Sequence, residues 1–129
     1  MQTYHWKKED WIELLNDKRT TYYAIVIGER IIGNVFTYNW EGERDFLKIM
    51  NIAVDPEYRR QGIATKLMGY VMEEFNTSTL VKICAETRES NIAMQKVFEK
   101  CGYDFYKVEP NCYSNPDENG FKYVYKRGI

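Results

Sequence analysis

The sequence contains no apolar run approaching the roughly 20 residues that a bilayer-spanning helix needs. Its opening stretch, Met1 to Asp10, carries charge and has no apolar core, so no secretory leader is expected and the expected compartment is the cytoplasm. Excess positive charge is also missing. Lys and Arg number 18 against 19 Asp and Glu, a net charge of −1. That removes the broad electrostatic footprint of a nucleic-acid binder, although a local basic patch remains at Arg59 and Arg60. There is one histidine, His5, and three cysteines, Cys84, Cys101 and Cys112, with no close pair among them. Such a set has no metal-ligand spacing, and an odd, scattered count argues for reduced thiols over disulfides. Repeats, low-complexity tracts and linkers are absent as well.

What is present is an ordinary globular balance: 44% hydrophobic and 29% charged residues over 129 positions, enough for one domain spanning 1–129. Aromatics reach 16%, with 11 tyrosines, which fits a Tyr-rich sheet and rim. Residues 7–17 read as an amphipathic helix with Trp11, Leu14 and Leu15 on one face. Thr21 to Ile27 and Ile31 to Tyr38, joined by Gly28-Glu29-Arg30, read as a hairpin. Phe46 to Val54 is a nearly continuous apolar run, as in a central strand buried on both faces, and Asp55-Pro56 ends it. From Gly62 the period becomes helical, with Ile63, Leu67, Val71 and Phe75 in one row and Ala64, Met68 and Met72 in the next. A strand over Thr79 to Glu86 follows, then a helix over Asn91 to Cys101 with Met94, Val97, Phe98 and Cys101 facing inward. Gly102 ends that helix. Two last strands, Tyr103 to Val108 and Phe121 to Tyr125, flank a polar loop over Asn111 to Gly120. In this reading Cys84 and Cys101 are small core residues. The order implies a mixed sheet with helices packed on its faces.

The chemically informative segment is Ile52-Ala53-Val54-Asp55-Pro56-Glu57-Tyr58-Arg59-Arg60-Gln61-Gly62-Ile63-Ala64. A buried strand runs into a basic, Gly-containing turn where a helix begins. The first amides of a helix have no internal partner and sit at the positive end of its dipole, which favours anions such as phosphate. Gly62 and the small Ala64 allow a bulky anion to approach, and Arg59 and Arg60 add charge suited to a pyrophosphate. An ordinary turn with a solvated Arg pair is the alternative, since one Gly-containing motif is weak evidence.

Arg59-x-x-Gly62-x-Ala64, after the strand Ile52-Ala53-Val54-Asp55-Pro56, resembles the acetyl-CoA pyrophosphate motif of the GNAT-type N-acetyltransferase superfamily. Glu86-Thr87-Arg88-Glu89-Ser90-Asn91, followed by Phe98-Glu99-Lys100-Cys101-Gly102-Tyr103, resembles the later motif of that family. Together they cover roughly residues 45 to 105. The resemblance implies an α/β (α+β) fold: a mixed, mostly antiparallel sheet with splayed central strands and helices on both faces. It implies acetyl-CoA as cosubstrate, with Ile52, Ala53 and Val54 lying along the pantetheine arm. It also implies that the amides of Arg60, Gln61, Gly62, Ile63, Ala64 and Thr65 sit on the pyrophosphate beside Arg59, and that Asn91 and Phe98 stand at the arm. An oxyanion hole from a strand amide and homodimer formation belong to the same set of expectations. The family's first strand and helix are short or missing before Lys7.

The implied partner is an amine acceptor, with no membrane. An amine must be neutral to attack a thioester, so a general base helps. Glu86 matches the catalytic Glu position of bacterial ribosomal-protein alanine N-acetyltransferases, which this sequence resembles more than it does most of the superfamily. Its alternative is a surface carboxylate paired with Arg88 or a nearby Lys. The Tyr that usually protonates the leaving thiolate is replaced by Phe98. A thiol of pKa about 8.5 is a fair leaving group unaided, water is a second proton source, and Tyr113 is a third. Asn111-Cys112-Tyr113 resembles the Asn-Tyr-Tyr segment of the ribosomal-protein enzymes. The alternative for Tyr113 is a solvated loop residue. Cys112 as an acyl-accepting nucleophile is disfavoured, since no His is placed to activate it. Three activities stay open: transfer to a peptide or protein amine; transfer to a small amine, with Glu41, Glu43 and Asp45 as candidate pocket carboxylates; and a non-catalytic acetyl-CoA-binding module, which Phe98 would suit. Acetylation of aminoacyl-tRNA is opposed by the net charge.

Overall fold

The computed structural model describes residues 16–127. The β-branched and aromatic runs near the start form a hairpin of β1 (Thr20–Ile27) and β2 (Arg30–Asn39), and β3 (Phe46–Val54) pairs antiparallel with β2. A single 3₁₀ turn, Pro56–Tyr58, then leads to helix α1 (Ile63–Asn76). After it come β4 (Lys82–Arg88), α2 (Ile92–Lys100), β5 (Asp104–Tyr113) and β6 (Glu118–Lys126). The six strands form one sheet in the order β1-β2-β3-β4-β6-β5. Only β3 and β4 are parallel, as a strand–helix–strand crossover demands.

The β3–β4 seam positions the site. Its register covers three rungs, Phe46↔Lys82, Leu47↔Ile83 and Lys48↔Cys84. Beyond Lys48 the remainder of β3, 49–54, pairs with β2 alone, and the remainder of β4, 85–88, pairs with β6 alone. The centre of the sheet therefore opens, as the resemblance implies. A bulge at Met50, between the rungs Phe36↔Asn51 and Thr37↔Ile49, bends β3 where the opening begins.

One face of the sheet carries the core. Leu67, Met68, Val71 and Phe75 of α1 and Met94 and Phe98 of α2 pack with Leu47, Ile49 and Ile52 of β3, Ile83 and Ala85 of β4, and Tyr123 of β6. Burying each of the Val, Leu, Ile, Met and Phe side chains among them is worth about 1.5–3 kcal/mol. Helix α2 ends in two reciprocal bonds, Tyr103 N–H to Phe98 O (2.9 Å) and Gly102 N–H to Glu99 O (3.0 Å). The rings of Phe98 and Tyr103 stack across that stop at 5.8 Å. Both described helices thus lie against one face, and the helix expected over 7–17 falls outside the described residues except for its last two positions.

Two expectations are corrected. The polar loop over Asn111 to Gly120 shrinks to a turn over 114–117, because β5 runs on to Tyr113 and β6 starts at Glu118. A distant cation supports that turn. The Arg88 guanidinium donates to Pro116 O (2.9 Å), Ser114 O (2.8 Å) and Glu118 Oε2 (3.1 Å) and lies over the Tyr113 ring. Cys84 is the second correction. It alternates with the core residues Ile83 and Ala85 along β4 and is absent from the core, whereas Cys101 does pack against it.

Candidate active site

The start of α1 is open. Gly62 is its N-cap with φ +75°, a left-handed conformation that glycine adopts without steric cost, and no side chain caps the helix. Arg60, two residues earlier, is also left-handed at φ +64°. The preceding turn is held from the hairpin. Arg30 bridges Asp55 (2.6 Å) and Glu57 (3.0 Å), and Asp55 caps the 3₁₀ turn by accepting from Glu57 N–H. That amide first, and then Arg30, hold the Asp55 carboxyl below the ordinary carboxylate range. With both acids of the turn engaged by Arg30, Arg59 and Arg60 make no ion pair among the described residues.

A cleft of about 590 Å³ lies between the start of α1 and one face of α2. Of the residues expected to hold acetyl-CoA, Val54, Arg59, Arg60, Gly62, Ile63, Ala64, Thr65 and Asn91 line it. Ile52 is buried in the core, Ala53 is half-buried in β3, and Gln61 is exposed in the turn; none of the three lines this cleft. Phe98 lies elsewhere too. It is fully buried, packs on Tyr103 and Tyr123, and does not line this cleft. Asn91 has a structural task as well, since its side-chain oxygen accepts Met94 N–H at 3.1 Å and caps α2. Sequence reasoning missed Lys96 and Lys100, which line the cleft from α2. Their i, i+4 spacing, with Ala93 and Val97, marks one helix face and was readable.

The charged residues of this lining are Arg59, Arg60, Lys96 and Lys100, with no acid among them. Open helix amides and four cations suit a ligand with several phosphate charges, the chemistry that coenzyme A presents. Thr87, on the stretch of β4 that has left β3, is fully buried, and its hydroxyl has no partner among the described residues, a further polar group for an arm entering the opening.

The opposite face of the sheet carries the second cluster. Lys48, Cys84 and Glu86 alternate away from the core. Glu86 Oε1 accepts from Lys48 Nζ at 3.3 Å, and Oε2 accepts from the Cys112 thiol at 3.5 Å. Of the two pairings weighed for Glu86, then, the lysine forms and Arg88 is engaged with Glu118 instead. Burial, followed by the Glu86 charge, pushes the Cys112 thiol up to about 11, which further opposes a nucleophilic role. Tyr113 is 2% exposed, not a solvated loop residue. Burial, and after it Glu86, raises its hydroxyl far above the ordinary tyrosine value, which makes it a weaker acid than a solvated tyrosine. Gly120 makes room for this corner, since a Cβ there would lie 3.0 Å from both Cβ and Sγ of Cys112. Glu41, Glu43 and Asp45 occupy an exposed turn, where Glu43 pairs with Arg19. Among the described residues no three metal-ligating side chains converge, and no helix is long and apolar enough to cross a membrane.

Comparison with known proteins fits this geometry. The model of the Acetyltransferase (GNAT) family matches residues 1–103. The [ribosomal protein bS18]-alanine N-acetyltransferase of Escherichia coli strain K12 is 32% identical over 73 residues, covering 57% of this chain and 49% of that protein. The chain thus spans about half the length of the curated relatives it matches. Among solved structures, the Escherichia coli ribosomal-protein-S18-alanine N-acetyltransferase aligns with TM-score 0.81 at 21% identity, over 96% of this chain and 79% of that one. A GNAT family acetyltransferase from Elizabethkingia anophelis with acetyl-CoA bound aligns with TM-score 0.76 at 21% identity, over 94% and 84%. These likenesses share the fold, and the family model extends over most of the sequence: the chain belongs to the Acetyltransferase (GNAT) family.

Proposed function

We propose that the chain is a single N-acetyltransferase domain that uses acetyl-CoA to acetylate a primary amine, the α-amine of a peptide or protein N-terminus. The observation that carries this reading is the cationic, acid-free cleft at the start of α1, beside a sheet that opens beyond Lys48. The relatives named for acetylating the alanine of ribosomal protein bS18 support the choice of acceptor class. Acetyl-CoA supplies an activated acetyl thioester. The chain's residues do the rest. The amides after Gly62, with Arg59 and Arg60, anchor the phosphates and so fix the far end of the arm. Glu86 takes a proton from the acceptor ammonium and leaves it able to attack. Tyr113, on the same face as Glu86, is the proton source for the departing sulfur in the role that Phe98 cannot fill. A cytoplasmic setting and pairing into homodimers accompany the reading, and light scattering tests the latter.

One observation favours a second reading. The Phe that stands at position 98, where the family usually has its proton-donating Tyr, suits a module that binds acetyl-CoA without turnover. Calorimetry with acetyl-CoA, on wild type and Gly62→Glu, tests the first step. Micromolar binding that falls at least about 100-fold in the variant supports the site, since a side chain and a negative charge would enter it. No binding to the wild type sinks both readings. Screening peptide amines with wild type and Glu86→Gln then separates them. Turnover that drops about 100-fold or more in the variant fits an enzyme with Glu86 as its base. Binding without turnover on any amine fits the module.

A further inference from the structure

The acceptor side of the opening already holds a primary amine. Lys48 stands on the last rung that β3 shares with β4, and its Nζ donates to Glu86 Oε1 at 3.3 Å. The pair is sheltered, with side chains 20% and 10% exposed. The described groups around it come from every neighbouring strand: Tyr38 on β2 (the register partner of Lys48), Cys84 and Glu86 on β4, Lys122 on β6, and Tyr106, Cys112 and Tyr113 on β5. Lys107 also pairs with a carboxylate, Glu109, but exposed and within its own strand. Lys48 is the described lysine bonded to the carboxylate to which the proposed function gives the acceptor's proton.

We propose that Lys48 is an internal acceptor: in the absence of a substrate amine, the chain acetylates its own Lys48, once. The inference rests on the acetyltransferase reading above. The Lys48 ammonium passes a proton to Glu86, and Nζ attacks the acetyl carbonyl carbon. The N–C bond forms and the C–S bond breaks, with its electron pair leaving on sulfur. Of the two protons Nζ gives up, one ends on the sulfur and the other in water. The products are Nε-acetyl-Lys48 and free coenzyme A, with no redox change. The amide is neutral, so the ion pair with Glu86 ends and Lys48 cannot accept again.

Intact-mass spectrometry and peptide mapping of the chain incubated with acetyl-CoA test this. One acetyl group should appear on Lys48, at a rate independent of protein dilution and at least about tenfold above that of the exposed Lys107 and Lys126, since proximity replaces collision. Glu86→Gln should slow labelling by about 100-fold and Lys48→Arg should abolish it, with acetyl-CoA binding retained in both. Lys48 left unlabelled, or labelled no faster than the exposed lysines, while acetyl-CoA binds would overturn this inference alone. Labelling that slows on dilution would make it a reaction between chains and overturn the internal acceptor. Failure of acetyl-CoA to bind would remove the parent reading and this one together.

Discussion

The two described α-helices start in opposite ways. At α1 the N-cap is a left-handed glycine with no side-chain cap, and the arginines before it, Arg59 and Arg60, have no acidic partner among the described residues. At α2 the Asn91 side chain caps the first turn, and Arg88, three residues earlier, is engaged by two carbonyls and Glu118. Every helix start leaves amides without partners. In α2 the chain satisfies two of them from within, Met94 N–H with the Asn91 side chain and Ile92 N–H with Ser90 O. In α1 it leaves them, with two cations, on the wall of a cleft. The contrast separates a basic residue held by the fold from two that line a cleft with no ion pair among the described residues.

Exchanging those roles is the strongest way to break the comparison. Arg88→Ala leaves a buried corner with two carbonyls stripped of their donor and Glu118 without its cation, so roughly 3 kcal/mol of stability should go, read by urea unfolding. Acetyl-CoA affinity in the folded fraction should change little. The same corner carries a pH signature. Hydrogen bonding to Ser90 and then Arg88 hold the Glu118 carboxyl below its ordinary value of 4.5. A depressed carboxylate contributes stability above the unfolded value and loses it as pH falls through the folded one. Glu118→Gln should therefore melt with a flatter pH dependence than wild type below about 4.5. Arg88→Ala with unchanged stability would erase the distinction.

The converse prediction is smaller. Arg59→Ala and Arg60→Ala should leave the unfolding midpoint within experimental scatter, because neither arginine forms an ion pair among the described residues. Each should weaken acetyl-CoA binding by about tenfold at low salt, and by less as ionic strength rises. Calorimetry at two salt concentrations reads both effects. A loss of stability without a loss of affinity would make the pair an ordinary solvated turn after all.

What could be read from the sequence divides along similar lines. The Phe46–Val54 strand was exact, because an apolar run met Asp55-Pro56 at its end. The start of α1 was clear because its chemistry is local: strand, basic turn, glycine, helix. Burial of Tyr113 was not, because polar Asn111 to Gly120 reads as loop, and its ties come from more than 20 residues away, from Arg88, Glu89 and Ser90. The Lys48–Glu86 contact depends on a parallel register that no local pattern encodes. Phe98 faces the core while Val97 lines the cleft, because neighbouring helix positions differ by about a third of a turn.

The finest test lies at Asn91, which both caps α2 and lines the cleft. Asn91→Ala removes the cap and should cost about 1 kcal/mol of stability. Asn91→Asp keeps a capping oxygen, and a carboxylate is favourable at a helix start, so stability should hold. That carboxylate would be the one acid in a lining whose charged residues are otherwise Arg59, Arg60, Lys96 and Lys100. Acetyl-CoA affinity should therefore fall several-fold in the aspartate variant while its melting temperature stays with wild type. Were both stability and affinity to survive in Asn91→Asp, Asn91 would be a cap and nothing more, and the ligand side of the comparison would belong to α1 and the lysines of α2.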